Sequence, residues 1–264
     1  MELNTAKMIG EKEGGIGWMT FNNPARRNAM SLEMWEAVET ILNDFEEDNE
    51  IKVIVMKGSG DKAFVSGADI SEFKERRNNA DAAAEYARIS EGARARLNAV
   101  KKPLIAMIQG YCLGGGMAVA MAADMRFASE DSQFGIPAAR LSIAYGFDGL
   151  HKLVHLVGPA MASEIMFTAR RISPEEAQQI GLINRAVPLD ELNSAVREVA
   201  DAICRNAPLS IAASKHTIGQ ILTDKDERDY DEIKRLSQVC FDSNDYKEGR
   251  EAFMEKRSPV FTGS

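Results

Sequence analysis

The sequence predicts an α/β protein built on a parallel sheet, and three observations carry that reading. Ile51–Met56 and Pro103–Gln109 are compact apolar runs of strand length, as expected of strands buried on both faces. Segments of helical period alternate with such runs, which is the pattern of strand–helix crossovers. The last third of the chain is almost free of strand signals. The 264 residues suit one large domain with a short appendage. We expect a core over residues 1–190 and a helical region over 191–264.

The elements follow in order. Residues 5–10 and 15–21 flank Gly14–Gly15 and read as a hairpin. Ser31 is placed to cap a helix in which Leu32, Trp35, Val38, Ile41, Leu42 and Phe45 share one face. Ile51–Met56 is a strand, and Gly58 to Asp69 a long turn region. Asp81 to Val100 is helical, rich in Ala and Arg. After the strand Pro103–Gln109, Gly114–Gly116 opens a short helix, Met117–Ala122, and Asp124–Ala128 returns as a strand. Helices near 147–156, 159–167 and 174–180, a strand at 185–187 and long helices complete the chain. No repeat of fixed length or low-complexity linker is present.

Composition narrows the function classes. Lys plus Arg is 32 and Asp plus Glu is 40, a formal charge of −8, so the basic footprint of a nucleic-acid binder is missing. Met1–Gly10 has no basic region leading into an apolar run, and no apolar stretch is long enough for a membrane span. A cytoplasmic protein is expected. Cys112, Cys204 and Cys240 are far apart and form no C-x-x-C pair, so they read as reduced thiols that act as small core hydrophobes.

Two segments carry chemistry. Gly114-Gly115-Gly116 follows a strand and begins a helix, where free N–H groups and the helix dipole favour a developing anion. It is neither a dinucleotide fingerprint nor a P-loop, because G-x-G-x-x-G and Gly-Lys-Ser/Thr are both missing. Phe64-Val-Ser-Gly-Ala-Asp-Ile70 lies after the strand Ile51–Met56, and its Gly67-Ala68 step can present another free N–H. Two such donors converging on one carbonyl oxygen form an oxyanion hole.

These segments closely resemble the crotonase (enoyl-CoA hydratase/isomerase) superfamily. The likeness rests on Ser66-Gly-Ala-Asp-Ile70, Ile108-Gln-Gly-Tyr-Cys-Leu-Gly-Gly-Gly116, Asp124 and Phe134-Gly135, with Asn23-Pro24…Asn28-Ala29, Phe167-Thr168…Gly181-Leu182-Ile183 and Tyr246-Lys-Glu-Gly249…Lys256-Arg257. It spans essentially the whole chain. The resemblance implies a spiral of ββα units with a C-terminal helical trimerisation region. Trimers, often paired into hexamers, are the implied assembly. It also implies a coenzyme A thioester substrate and no separate cofactor or metal. Ala68 and Gly115 would hold the thioester oxygen, with Ser66, Gly67, Asp69, Ile70, Gly114 and Gly116 shaping that site.

Two positions depart from the family pattern. Hydratases of the family carry glutamates in G-G-G-x-E and F-G-x-P-E; here those positions are Ala118 and Ala138. Hydration needs a base to activate water and an acid to protonate carbon, and alanine supplies neither. Ordinary hydration is therefore not expected; decarboxylation, isomerisation or another lyase-type step is. Replacement groups are sought in Arg140 to His151. Tyr145 is the first candidate, as a donor to an intermediate. Asp148 is the second, as a base or as a helix cap. Arg140 is a candidate clamp for a substrate carboxylate or an ion-pair partner.

The segment Leu141-Ser-Ile-Ala-Tyr145…Gly149-Leu-His151 and the tail Asp242–Gly249 look like the methylmalonyl-CoA decarboxylase branch, which keeps a glutamate at the position of Ala118. Losing CO₂ from a malonyl-type thioester yields the enolate without a base. The alternatives are a catalytically silent acyl-CoA-binding or scaffold protein, and a hydratase with substitute acid/base groups.

His151 and His155 have helical zinc spacing but lack a third ligand, so packing or surface roles are expected. His216 has no visible partner, and Asp69 and Asp124 read as turn stabilisers. Tyr86 and Glu91 could reach the acyl pocket or face solvent. Arg26 and Arg27, with Lys256 and Arg257, are candidates for the CoA phosphates.

Overall fold

In the computed structural model, residues 1–69 and 80–264 are described. A six-stranded sheet runs in the order β1 (Met8–Glu13), β2 (Ile16–Phe21), β3 (Val53–Gly58), β5 (Leu104–Ile108), β7 (Met125–Ser129), β9 (Arg185–Val187). Only the β1–β2 hairpin is antiparallel; every other pair is parallel. A second, parallel sheet holds the short strands β4 (Ala63–Val65), β6 (Tyr111–Leu113) and β8 (Gln133–Gly135).

Each turn of the spiral gives one strand to the large sheet and the next to the small one. A helix then returns the chain: α2 (Ala80–Asn98) after β4, and α3 (Gly115–Ala122) after β6. These are the ββα units expected. The glycine run thus lies at the end of a small-sheet strand, at the mouth of a helix.

The large sheet is buried on both sides, which explains the unbroken apolar runs. One face carries Ile54, Met56, Leu104, Ala106 and Ile108 into a core shared with α1 (Leu32–Glu47), α2, α3 and α4 (Phe147–Thr168). The other carries Trp18, Val53, Val55, Ile105 and Phe127 against Leu192, Val196 and Ala200 of α6 (Leu192–Arg205). Between α4 and α6 lies the short α5 (Pro174–Gln179). The chain ends in α7 (Pro208–Ile221), α8 (Tyr230–Asp242) and α9 (Asn244–Glu255). These helices leave Ile218, Phe241, Phe253 and Met254 exposed around an apolar groove of about 1170 Å³. No helix among the described residues is long and apolar enough to cross a membrane.

Several local expectations need correction. The first strand is Met8–Glu13 rather than 5–10, because the hairpin register pairs Glu13 with Ile16 directly across Gly14–Gly15. The Gly58–Asp69 stretch is not all turn, since it contains β4, and β6 and β8 also lie in segments with no strand signal of their own. Strands of three residues are too short to show alternation. The expected short helix starts two residues earlier, at Gly115. The segments 147–156 and 159–167 abut end to end, interrupted by Gly158 (φ 77°) ahead of Pro159. Ser31 occupies the N-cap position of α1, but its buried hydroxyl makes no capping bond.

Candidate active site

The three glycines do three different jobs. Gly114 (φ 52°, ψ −113°) turns the chain from β6 into α3 in a conformation costly for residues with a Cβ. Its N–H donates to the Gly135 carbonyl at 2.8 Å, tying the turn to the end of β8. Gly116 lies so close to β4 that a Cβ there would fall 1.9 Å from the Val65 carbonyl oxygen. At Gly115 a Cβ would meet the Ala68 amide nitrogen at 3.6 Å, so this glycine keeps open the space in front of that amide.

Ala68 is held from the other side. Met30 N–H donates to the Gly67 carbonyl (2.8 Å) and Asp69 N–H donates to the Met30 carbonyl (2.9 Å), forming a parallel bridge centred on Ala68. In such a bridge the central residue's own N–H points away from the partner strand. The Ala68 N–H therefore turns away from Met30, and its nitrogen lies 3.6 Å from the Cβ position of Gly115. Gly115 is the first residue of α3, where an N–H has no intrahelical acceptor. Among the described residues neither amide has an acceptor. Two main-chain N–H groups without acceptors among the described residues thus lie close together at the N-terminus of a helix.

The loop behind Met30 is set by Asn28, which is fully buried. Its Oδ1 accepts from Asn23 N–H (2.9 Å), and its Nδ2 donates to the carbonyls of Ser59 (3.0 Å) and Ala63 (2.7 Å). Ser66 N–H and Oγ donate to the carbonyls of Arg27 and Arg26. Sequence reading took Asn28 only as part of a matching motif; its joint to β4 was not visible there.

Ala118 is half-buried in the first turn of α3, and Ala138 is buried in the turn Pro137–Leu141 after β8. Pro137 Cδ lies 3.8 Å from the Cβ position of Gly114, so that turn is seated on the glycine run. Tyr145 packs against the same core, and its ring lies over Gly149, where a Cβ would fall 2.5 Å from Cε1. The Tyr145 hydroxyl is buried and has no hydrogen-bond partner among the described residues. Burial pushes this phenol up to about 12, with the Arg94 charge opposing, so it is neutral at ordinary pH and keeps a proton to donate. Cys112, just before the glycine run, is buried beside Met117 Sδ (3.9 Å), and burial drives its thiol far above the usual range. It is an inert core residue, as expected.

The remaining candidates are mostly exposed. Asp148 is exposed on the first turn of α4, where Gly146 is the N-cap. Its charge suits a helix N-terminus, but it is not the cap, and its exposure argues against a sheltered base. Arg140 is exposed, as is Arg26 in the turn Pro24–Arg26. The Arg27 and Arg171 guanidiniums both lie by the Tyr111 ring, at 5.1 and 5.2 Å from its centroid. Lys256 is the exposed C-cap of α9, and Arg257 is paired with Glu248. Asp69 is buried, Tyr86 is buried on α2, and Glu91 is exposed. Ile70 lies outside the described residues.

Asp124 is indeed a joint: its Oδ2 accepts from Leu104 N–H and from Lys215 Nζ, both at 2.7 Å. His151 and His155 are exposed with ring centroids 4.2 Å apart. Among the described residues no group of three His, Cys, Asp or Glu is placed to hold a metal ion.

Comparison with known proteins identifies the family and the fold. A family model described as enoyl-CoA hydratase/isomerase matches residues 11–264. The chain is 37% identical over 258 residues to the short-chain-enoyl-CoA hydratase of Clostridium acetobutylicum, covering 97% of each chain. It is 31% identical over 258 residues to the 2,3-dehydroadipyl-CoA hydratase of Escherichia coli, covering 98% of this chain and 99% of that one. A crystal structure of an enoyl-CoA hydratase/carnithine racemase from Magnetospirillum magneticum superposes with a TM-score of 0.92 at 33% identity, covering 99% of this chain and 97% of the other.

Proposed function

The chain belongs to the enoyl-CoA hydratase/isomerase family, and from that premise we propose that it binds a coenzyme A thioester with its carbonyl oxygen between the Ala68 and Gly115 amides. We further propose that it forms the thioester enolate without a pair of carboxylates, with decarboxylation of an α-carboxyacyl-CoA (a malonyl-type thioester) as the leading reaction. The observation that carries this reading is the pair of amides without acceptors lying close together at the start of α3. Charge develops on the oxygen as the enolate forms, so fixed donors stabilise the transition state more than the bound thioester.

The steps balance without a glutamate. The bond between the α-carbon and the carboxylate breaks, and its electron pair passes through the α-carbon onto the thioester oxygen. CO₂ leaves. The enolate then collapses and takes a proton at the α-carbon. The buried, neutral Tyr145 phenol is the proposed donor and regains its proton from water. An apolar surround at Ala118 and Ala138 destabilises the starting carboxylate relative to neutral CO₂. The exposed apolar residues of α7 to α9 support self-association as a trimer or paired trimers.

A second reading is hydration, favoured by the relatives named as hydratases. Turnover of methylmalonyl-CoA, malonyl-CoA, a 3-enoyl-CoA and crotonyl-CoA by the same preparation separates the two. CO₂ release from an α-carboxyacyl-CoA with little crotonyl-CoA hydration supports the enolate-forming lyase. Rapid crotonyl-CoA hydration that survives Tyr145→Phe refutes it. Tight binding of every ester with no turnover supports a silent acyl-CoA-binding protein.

A further inference from the structure

Three cations gather at the C-terminal end of α3, the helix whose first amide is that of Gly115. Arg126, buried at the start of β7, donates to the carbonyls of Ala123 (2.6 Å) and Leu182 (2.8 Å). Lys152 on α4 reaches the same end of α3. Its Nζ donates to Asn98 Oδ1 at the end of α2 (2.5 Å) and to the Met121 carbonyl in the last turn of α3 (3.4 Å). Lys215 on α7 bonds Asp124 and the Lys102 carbonyl. The acids facing this group are Asp124 and, one turn before Lys152 on α4, Asp148.

A helix carries about half a positive charge at its N-terminus and half a negative one at its C-terminus. In a helix of eight residues, roughly 12 Å long, the two ends are close enough for the negative end to weaken the positive one. Cations bonded to the last carbonyls offset that negative end, and their own field adds at the N-terminus. We propose that Lys152 is a positioning residue for the thioester-oxygen site, its ammonium holding the C-terminal turn of α3 and raising the positive potential at the Gly115 amide. The proposal rests on the oxyanion-hole reading above.

Lys152 is also the member of the group poised to lose its charge. Burial, with repulsion from Arg126 and Lys215 and against the pull of Asp124 and Asp148, brings its ammonium down to about 8. Arg126, lowered chiefly by burial to about 10, stays charged through that range. Removing one charge some ~13 Å from the oxygen at an effective dielectric near 20 weakens enolate stabilisation about three- to tenfold.

The test reads the oxygen directly. Butyryl-CoA labelled with carbon-13 at its carbonyl is bound to the full-length protein, and the carbonyl stretch is followed by difference infrared spectroscopy from about pH 6.5 to about pH 9.5. In the wild type the band lies below that of the free thioester and relaxes toward it with a midpoint near 8. In Lys152→Arg the low-frequency band holds across the range, and in Lys152→Gln it sits at the relaxed position throughout. A low-frequency band that ignores pH in the wild type overturns the role of Lys152 while leaving the oxygen site standing. So does a titration that persists in Lys152→Arg. A band indistinguishable from the free thioester at every pH overturns the oxygen site itself.

Discussion

Adding one methyl group at adjacent glycines separates a structural role from a functional one. In Gly116→Ala the new Cβ would sit 1.9 Å from the Val65 carbonyl oxygen and 2.8 Å from its carbon. A relaxed contact needs ~3.5 Å, so α3 or β4 must give way by roughly 1.5 Å. Both obstacles are backbone atoms of a buried strand. Overpacking of this kind costs about 1–3 kcal/mol, or several degrees in Tm for a chain of this size. The shift also carries the Gly115 amide away from Ala68, and a displacement near 1 Å can cost roughly a hundredfold in rate.

In Gly115→Ala the new Cβ stands 3.6 Å from the Ala68 nitrogen, an ordinary contact. Gly115 is also not among the residues with positive φ. Folding should therefore be unchanged or slightly improved, because alanine favours a helix over glycine. The methyl group nonetheless occupies the space where the oxygen must sit. Thermal unfolding and turnover, measured side by side, should show Gly116→Ala losing both stability and activity and Gly115→Ala losing activity alone, by about 10²-fold or more. Full activity in Gly115→Ala would refute the assignment of that space to the substrate oxygen. Equal destabilisation by the two substitutions would refute the division of labour among the glycines.

Tyr145→Phe removes a buried hydroxyl with no hydrogen-bond partner among the described residues, so stability should hold or rise by up to about 1 kcal/mol. Turnover should fall if the phenol donates to the α-carbon, and unchanged turnover with raised stability would reduce Tyr145 to packing. Acid should release the C-terminal tail. Glu248 is held at about 2, first by its hydrogen bond from Arg257 and then by that from Val260 N–H. A carboxylate held below its unfolded value of about 4.5 stabilises above that pH, and the contribution fades as pH drops toward about 2. Carboxypeptidase cleavage should therefore accelerate on acidification across that window, with Glu248→Gln already fast at neutral pH; pH-independent cleavage of the wild type would contradict the anchor.

The large sheet was legible in the sequence because burial on both faces leaves unbroken apolar runs, as at Ile51–Met56 and Pro103–Gln109. The small sheet was not. Its strands are three residues long and gain their identity only from neighbours contributed by other turns of the spiral. The glycine run alone pointed no further than a close-packed strand–helix junction; it was the family resemblance that singled out Ala68 and Gly115. What fixes the Ala68 amide was hidden, because the Met30 bridge and the Asn28 carboxamide join segments more than 30 residues apart. Lys152 was hidden as well. On a helix written His-Lys-Leu-Val-His, nothing local marks the lysine as the one that turns inward to meet Asn98 and Met121.

The central claim is that the amides of Ala68 and Gly115 grip one thioester oxygen. A structure of the protein with a saturated acyl-CoA bound tests it most directly. The account predicts both nitrogens within about 2.7–3.1 Å of the carbonyl oxygen, with the α-carbon lying between Ala118 and the Tyr145 hydroxyl. An acyl-CoA bound with its carbonyl oxygen away from either nitrogen would contradict it.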